Sequence, residues 1–175
     1  MSVEATFDLK LDIDETPDIG GDLVSSDPKI SPRTTLGSSR GTLNSSSTPV
    51  VSAQYSKRYT LSAGAVTIDL TSLAEAAFGG TVTKDLTGLK IHAFKIAAHQ
   101  DNTDELVFKK GATNGYPLFG EVGANVGIQV MDAGEVMARN CNAKRPAVSA
   151  TVKTIDVTCT GDADAVFEIQ FLAGA

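Results

Sequence analysis

The sequence predicts an all-β protein, a β-sandwich or jelly-roll-like domain with one short helix and a long extended N-terminal arm. Three observations lead there. Apolar side chains recur at every second position in one short segment after another, the period of a half-buried strand. Gly, Asn and Asp separate these segments at the short spacing of sandwich folds. The tract from Asp14 to Gln54 is dominated by Ser, Thr, Gly and Pro, and has too few large apolar residues to bury a core. A chain of 175 residues holds one domain and an appendage. The expected boundary therefore sets residues 1–54, a strand and an arm, apart from a sandwich over 55–175.

The first element is a strand, because "ATFDLKLDID" places Phe7, Leu9, Leu11 and Ile13 on one face and Asp8, Lys10, Asp12 and Asp14 on the other. The arm follows, with Pro17, Pro28, Pro32 and Pro49, which withhold ladder donors and bias their neighbours to extended backbone. Tyr55, Lys57, Tyr59 and Leu61 share one parity. Val66, Ile68 and Leu70 repeat it after "SAGA", which predicts a hairpin. "TSLAEAAFGG" predicts the helix, with Ser72 as N-cap, Glu75 at the capping-box position and Gly79 as terminator. The segments "LKIHAFKIAA", "ELVFKK", "VGIQVM", "GEVMARN", "AVSATVKTIDVTCT" and "AVFEIQFLAG" read as the remaining strands, and in the last Phe167, Ile169 and Phe171 point inward.

Composition narrows the function classes. A net charge of −6 argues against a nucleic-acid or anionic-membrane surface, which needs clustered Lys and Arg. Lys29, Arg33 and Arg40 make the middle of the arm mildly basic, a pattern that suits solvation or contact with a partner protein. No apolar run reaches the length of a membrane span, and the start "MSVEATFDLK" is acidic where a signal peptide is basic and then apolar. Production in the cytosol is the expectation. There Cys141 and Cys159 stay reduced, and Cys159 continues the alternation of Ile155 and Val157 as a small core residue.

The residues suggest no catalytic constellation. His92 and His99 are seven positions apart and face opposite ways on one strand, so His92 reads as a strand residue with a hydrogen-bonded ring. "DNTDE" (101–105) and "GDADA" (161–165) are acidic, but lack the order of a calcium loop and read as turns. No Gly-x-Ser-x-Gly elbow is present, and scarce aromatics with no Trp speak against a glycosidase. "KKGATNGYPLFGEVGANVG" is rich in Gly without a Gly-Lys-Ser/Thr; Tyr116, Leu118 and Phe119 make it a loop packed by its own apolar side chains. No catalytic residue, cofactor or metal ligand is expected.

The part from about Tyr55 to Ala175 resembles small single-domain β proteins encoded in the structural regions of tailed phages and prophages. The resemblance is carried by "LTGLKIHAFKIAA", "KKGATNGYPLFG", the "DAGEV" turn and the close "KTIDVTCTGDADAVFEIQFLAGA". Cys159 departs from it, standing where the family pattern has a small residue such as Gly, and the N-terminal part has no counterpart. The resemblance implies a virion structural subunit with a β-sandwich fold.

Together these readings give the expectation of a capsid decoration (cement) protein, non-enzymatic, assembled in the host cytoplasm into the virion. Its expected partners are itself, as a homo-oligomer with a trimer among the options, and the major capsid protein, with no direct nucleic acid and no membrane. Ordering a long arm costs about 1–2 kcal/mol per residue in backbone entropy, so neighbouring subunits must supply its contacts. The expected partner-binding residues are Phe7, Leu9, Leu11, Ile13, Lys29, Arg33 and Arg40. The alternatives are a tail or neck component, a glycan- or receptor-binding sandwich on a fibre, and a small hydrolase.

Overall fold

The strands in chain order are β1 (Glu4–Leu9), β2 (Ser39–Asn44), β3 (Ala53–Leu61), β4 (Ala65–Asp69), β5 (Leu73–Ala77), β6 (Gly80–Lys84), β7 (Lys90–Ala98), β8 (Leu106–Lys110), β9 (Glu121–Val122), β10 (Asn125–Val126), β11 (Ile128–Met131), β12 (Val136–Asn140), β13 (Thr154–Cys159) and β14 (Ala165–Gly174). They are taken from a computed structural model that describes residues 4–9, 39–44, 46–61, 64–77, 80–122, 125–140, 145–161 and 164–175. The chain falls into two units, one over Ala5–Thr42 and one that contains Leu43–Ala175. In the first, β1 and β2 form a two-stranded sheet.

The second unit is built on two four-stranded sheets with orders β12-β7-β14-β3 and β11-β8-β13-β4. Every neighbouring pair in them is antiparallel. Counting only these strands from first to eighth along the chain, the orders become 6-3-8-1 and 5-4-7-2. That is the double Greek key of a jelly roll. Alternation drives the assembly: Phe167, Ile169, Phe171 and Ala173 on β14 are buried while Glu168 and Gln170 are exposed. Across the sandwich, Phe108 of β8 meets Phe167 edge to face at 5.2 Å, and Phe119 meets Phe94 in the same way at 5.6 Å. Ile68, Ile96, Leu106, Ile155 and Val157 complete the layer between the sheets. Cys159 is a free thiol packed against this core, as its parity predicts; Cys141 lies outside the described residues.

Two expectations are corrected. The segment predicted as a helix is β5, which pairs with β6 from Leu73↔Lys84 to Ala77↔Gly80, and the described residues contain no helix. Two helical turns are too short to hold themselves. As a strand the same residues bury Leu73 and place Glu75 beside the backbone of β3. The predicted hairpin of β3 with β4 does not form either, because β3 pairs with β14 and β4 with β13. The chain turns at Gly64, where φ is +77°, but it passes to the other sheet, so both strands gain a face on the core.

The glycines of the Gly111–Gly115 loop serve close packing. A Cβ on Gly111 would run into Thr154 of β13, and one on Gly115 into Gly111 and Lys110. The loop is fixed by Gly111 N–H and Tyr116 N–H donating to the Thr154 carbonyl at 3.0 and 2.7 Å. Tyr116 and Leu118 are buried, as expected for a loop that packs on itself. The segment 46–54, at the end of the predicted arm, is also tied down. Val51 is fully buried, Ser52 N–H donates to the Ala173 carbonyl at 2.9 Å, and a Cβ on Gly174 would collide with the Val50 carbonyl.

Candidate interaction surface

A sandwich with open edges exposes rows of unpaired N–H and C=O groups that invite another strand. The edges of this sandwich differ in how those groups are covered.

The edge of β3 is covered by two side chains. Ser56 N–H donates to Glu75 Oε1 at 3.1 Å, Lys84 Nζ donates to the Gln54 carbonyl at 2.6 Å, and Glu75 and Lys84 pair with each other at 2.5 Å. Because β5 and β6 place the two side chains together, the ion pair imitates a neighbouring strand: carboxylate for carbonyl, ammonium for amide. Tyr55 secures the hairpin from within, its hydroxyl donating to the Ala74 carbonyl at 3.4 Å and lying 2.8 Å from that of Tyr59. Burial, then the Tyr59 hydroxyl, raise the Tyr55 pKa far above the ordinary phenol value, and burial likewise raises that of Tyr59. Both stay neutral hydrogen-bonding groups.

At β4, Ala65 is exposed, and the outward Thr67 and Asp69 bond to side chains of Asp156 on β13 and Lys153 just before it. Thr67 Oγ1 donates to Asp156 Oδ1 at 2.8 Å, and Lys153 Nζ donates to Asp69 Oδ2 at 2.6 Å. Burial pushes the Asp69 carboxyl up, but Lys153 and Thr71 outweigh it and hold the pKa below the usual value.

The edge strand β11 is different. The register Ile128↔Lys109 and Val130↔Val107 sets Ile128 and Val130 on the outer face, where they are 59% and 44% exposed, while Met131 is buried. On the neighbouring edge strand β12, Val136 is 57% exposed. Lys109 stands beside Ile128 in the ladder, and Arg139 Nη1 reaches the Phe119 carbonyl at 3.4 Å. Ile128 and Val130 thus lie on the outer face of one sheet and Val136 on that of the other, with Lys109 and Arg139 nearby and the exposed Asp132 and Glu135 on the turn between the two strands.

The histidines do not meet. Seven residues along β7 separate them by about 23 Å at the rise of a strand. His92 is the extra residue of a β-bulge, since Leu172 faces Ala93 but Ala173 faces Ile91. It is 1% exposed; neither ring nitrogen makes a hydrogen bond of good geometry among the described residues, but the backbone of Ala175 and Gly174 lies near enough to act on the ring. Burial lowers its pKa; the nearby backbone of Ala175 and Gly174 offsets this in part. His99 sits at the rim, with Nδ1 3.6 Å from Asp101 Oδ2. The two acidic loops do come together. Asn102 exchanges hydrogen bonds with the Val166 backbone at 3.0 and 2.8 Å, and Thr160 N–H donates to the Glu105 carbonyl at 3.0 Å. Among the described residues no three His, Cys, Asp or Glu side chains are grouped to hold a metal. A shallow cleft of about 300 Å³ opens on the outer face between Arg58, Glu168, Ala97, His99, Gln100 and Gly134.

Of the expected partner-binding residues, Phe7 and Leu9 lie on β1 and Arg40 on β2; Leu11, Ile13, Lys29 and Arg33 lie outside the described residues. Ile128, Val130 and Val136 were not singled out from the sequence. The signal was weak, because "VGIQVM" is apolar at both parities and does not say which face is inward. No protein-family model matches the chain, and no curated protein matches it.

Proposed function

We propose that this chain is a non-enzymatic structural subunit of a phage virion, a decoration protein that fastens the capsid shell by binding neighbouring copies of itself and the major capsid protein. The observation that carries the reading is the uneven treatment of the sandwich edges. Two backbone groups at the start of β3 are capped by an ion pair, while β11 and β12 present Ile128, Val130 and Val136, three of the five large apolar residues exposed among the described ones, the others being Val50 and Val82. Protected and exposed edges on one domain suit a protein that joins others through one defined side. The jelly-roll topology is one that viral capsid domains use, although the same fold serves other functions, and the sequence resemblance points the same way.

The test is co-sedimentation of the purified chain with phage shells emptied of DNA. Saturable binding at a fixed copy number per shell is the expected result, and absence of binding at any ratio would remove the reading. A second reading, a glycan-binding sandwich on a fibre, is favoured by the cleft in which Arg58, Glu168, His99 and Gln100 sit beside Ala97 and Phe167. Retention on a glycan array, lost on Arg58→Ala, would place it first.

A further inference from the structure

We infer that the edge of β11 with which no described strand pairs receives β1 of a second copy of this chain, extending the sheet β11-β8-β13-β4 by one strand across a subunit boundary. The inference rests on the reading of the chain as self-associating and names the surface at which it associates.

The acceptor is argued by comparison of edges. The β3 edge is occupied by Glu75 and Lys84, and β4 carries engaged polar side chains. Strand β11, in contrast, reads Ile-Gln-Val-Met; it has no charge, no proline and two outward β-branched residues that are largely exposed. Those are the features that edge strands ordinarily avoid. Gln129 Nε2 donates to the Val130 carbonyl at 2.8 Å, a side chain that an incoming amide can displace.

The donor is argued from β1. It belongs to a two-stranded sheet that has no third strand among the described residues, and two strands alone are marginal in water. One edge of β1 is taken by β2, and no other described strand pairs with it. At six residues β1 is long enough to span the four of β11. Strand addition of this kind draws affinity from main-chain hydrogen bonds and specificity from alternate side chains.

Charge agrees with the pairing. The segment from Glu4 to Glu15 carries Glu4, Asp8, Asp12, Asp14 and Glu15 against the single Lys10. The receiving side has Lys109 beside Ile128 and exposed Arg139 on β12, while Asp156 stands opposite Lys109 and Asp132 and Glu135 lie past the other end of β11, so the acidic strand meets its cations at the Ile128 end. Phe7 and Leu9 are apolar positions two apart on β1, the same spacing as Ile128 and Val130 on β11.

The experiment mixes a full-length chain carrying Leu9→Cys with one carrying Val130→Cys under mild oxidation, each variant alone serving as control. The expected result is a disulfide-linked dimer of the two variants, well above the amount either forms alone. In parallel, sedimentation velocity compares the wild type with Ile128→Lys/Val130→Lys and with a chain lacking residues 1–9. Association of the wild type and its loss in both variants supports the inference, with circular dichroism showing the strand signal retained. A wild type that stays monomeric, association that survives in either variant, or cross-linking no greater than in the controls overturns it. Shell binding by a chain that does not self-associate would overturn this inference alone and leave the decoration reading standing.

Discussion

Replacing Tyr116 by Phe removes one oxygen from a fully buried ring and tests the account of how the bulged end of β7 is held. Strand β12 stops at Asn140, opposite Ala93, so the ladder on that side of β7 ends before Ile91. The Ile91 amide donates instead to the Tyr116 hydroxyl at 3.1 Å, and that hydroxyl donates to the Pro146 carbonyl at 3.1 Å. Tyr116 and Ile91 are both 0% exposed. In the variant the ring still fills its space, so the loss is confined to hydrogen bonding. Pro146 is exposed and water replaces its donor, whereas the Ile91 N–H is left buried without an acceptor. An unsatisfied buried donor costs about 1–3 kcal/mol. In a protein of this size 1 kcal/mol moves Tm by about 2–4 °C, which gives a fall of about 2–12 °C. Urea unfolding should show a lower midpoint with unchanged slope, and the Ile91 amide should exchange with solvent faster. A variant as stable as the wild type, or one in which the Ile91 amide keeps its protection, would refute the assignment of that hydrogen bond as a structural necessity.

Three further outcomes are expected. His92 has a folded pKa below its unfolded value of about 6.5, so the unfolded chain binds the proton more readily and stability falls as pH drops from about 6.5 through the folded pKa; His92→Leu should flatten that part of a Tm-against-pH curve. Gly111→Ala forces a methyl against Thr154 and should cost about 1–3 kcal/mol, as overpacking does, measured by denaturant unfolding. A chain beginning at Ser46 should keep the cooperative melt of the sandwich. One beginning at Tyr55 loses buried Val51 and the Ser52 bond to Ala173 and should melt lower, by differential scanning calorimetry.

The strands of the sandwich were legible wherever one face is wet. "FEIQF" and "YSKRYTL" alternate because β14 and β3 each have a core side and a solvent side. Partnership was less legible. The turn after Leu61 announces a reversal of the chain, but nothing local says whether the next strand returns to the same sheet. "SLAEAA" satisfies helix-capping rules residue by residue, and it became a strand because Glu75 and Lys84 have work to do against the β3 backbone, far away in sequence. The bulge at His92 left no trace, since an inserted residue shows only as a phase slip between two strands. The open edge at β11 escaped for a related reason: with apolar residues at both parities, its register on β8 decides which pair is left in water.

The ion pair on β3 also bears on how many neighbours a copy can have. If each copy gives one strand and takes one, donor and acceptor are different patches, and the contact is heterologous. Copies then join head to tail, and each addition presents one fresh donor and one fresh acceptor until the series closes on itself or runs on as a filament. A second receptive edge would raise the valency to a branching one and produce a network. By filling the place of a strand at the start of β3, Glu75 and Lys84 withdraw that edge from such growth, and the angle between successive copies then determines whether the result is a small closed ring.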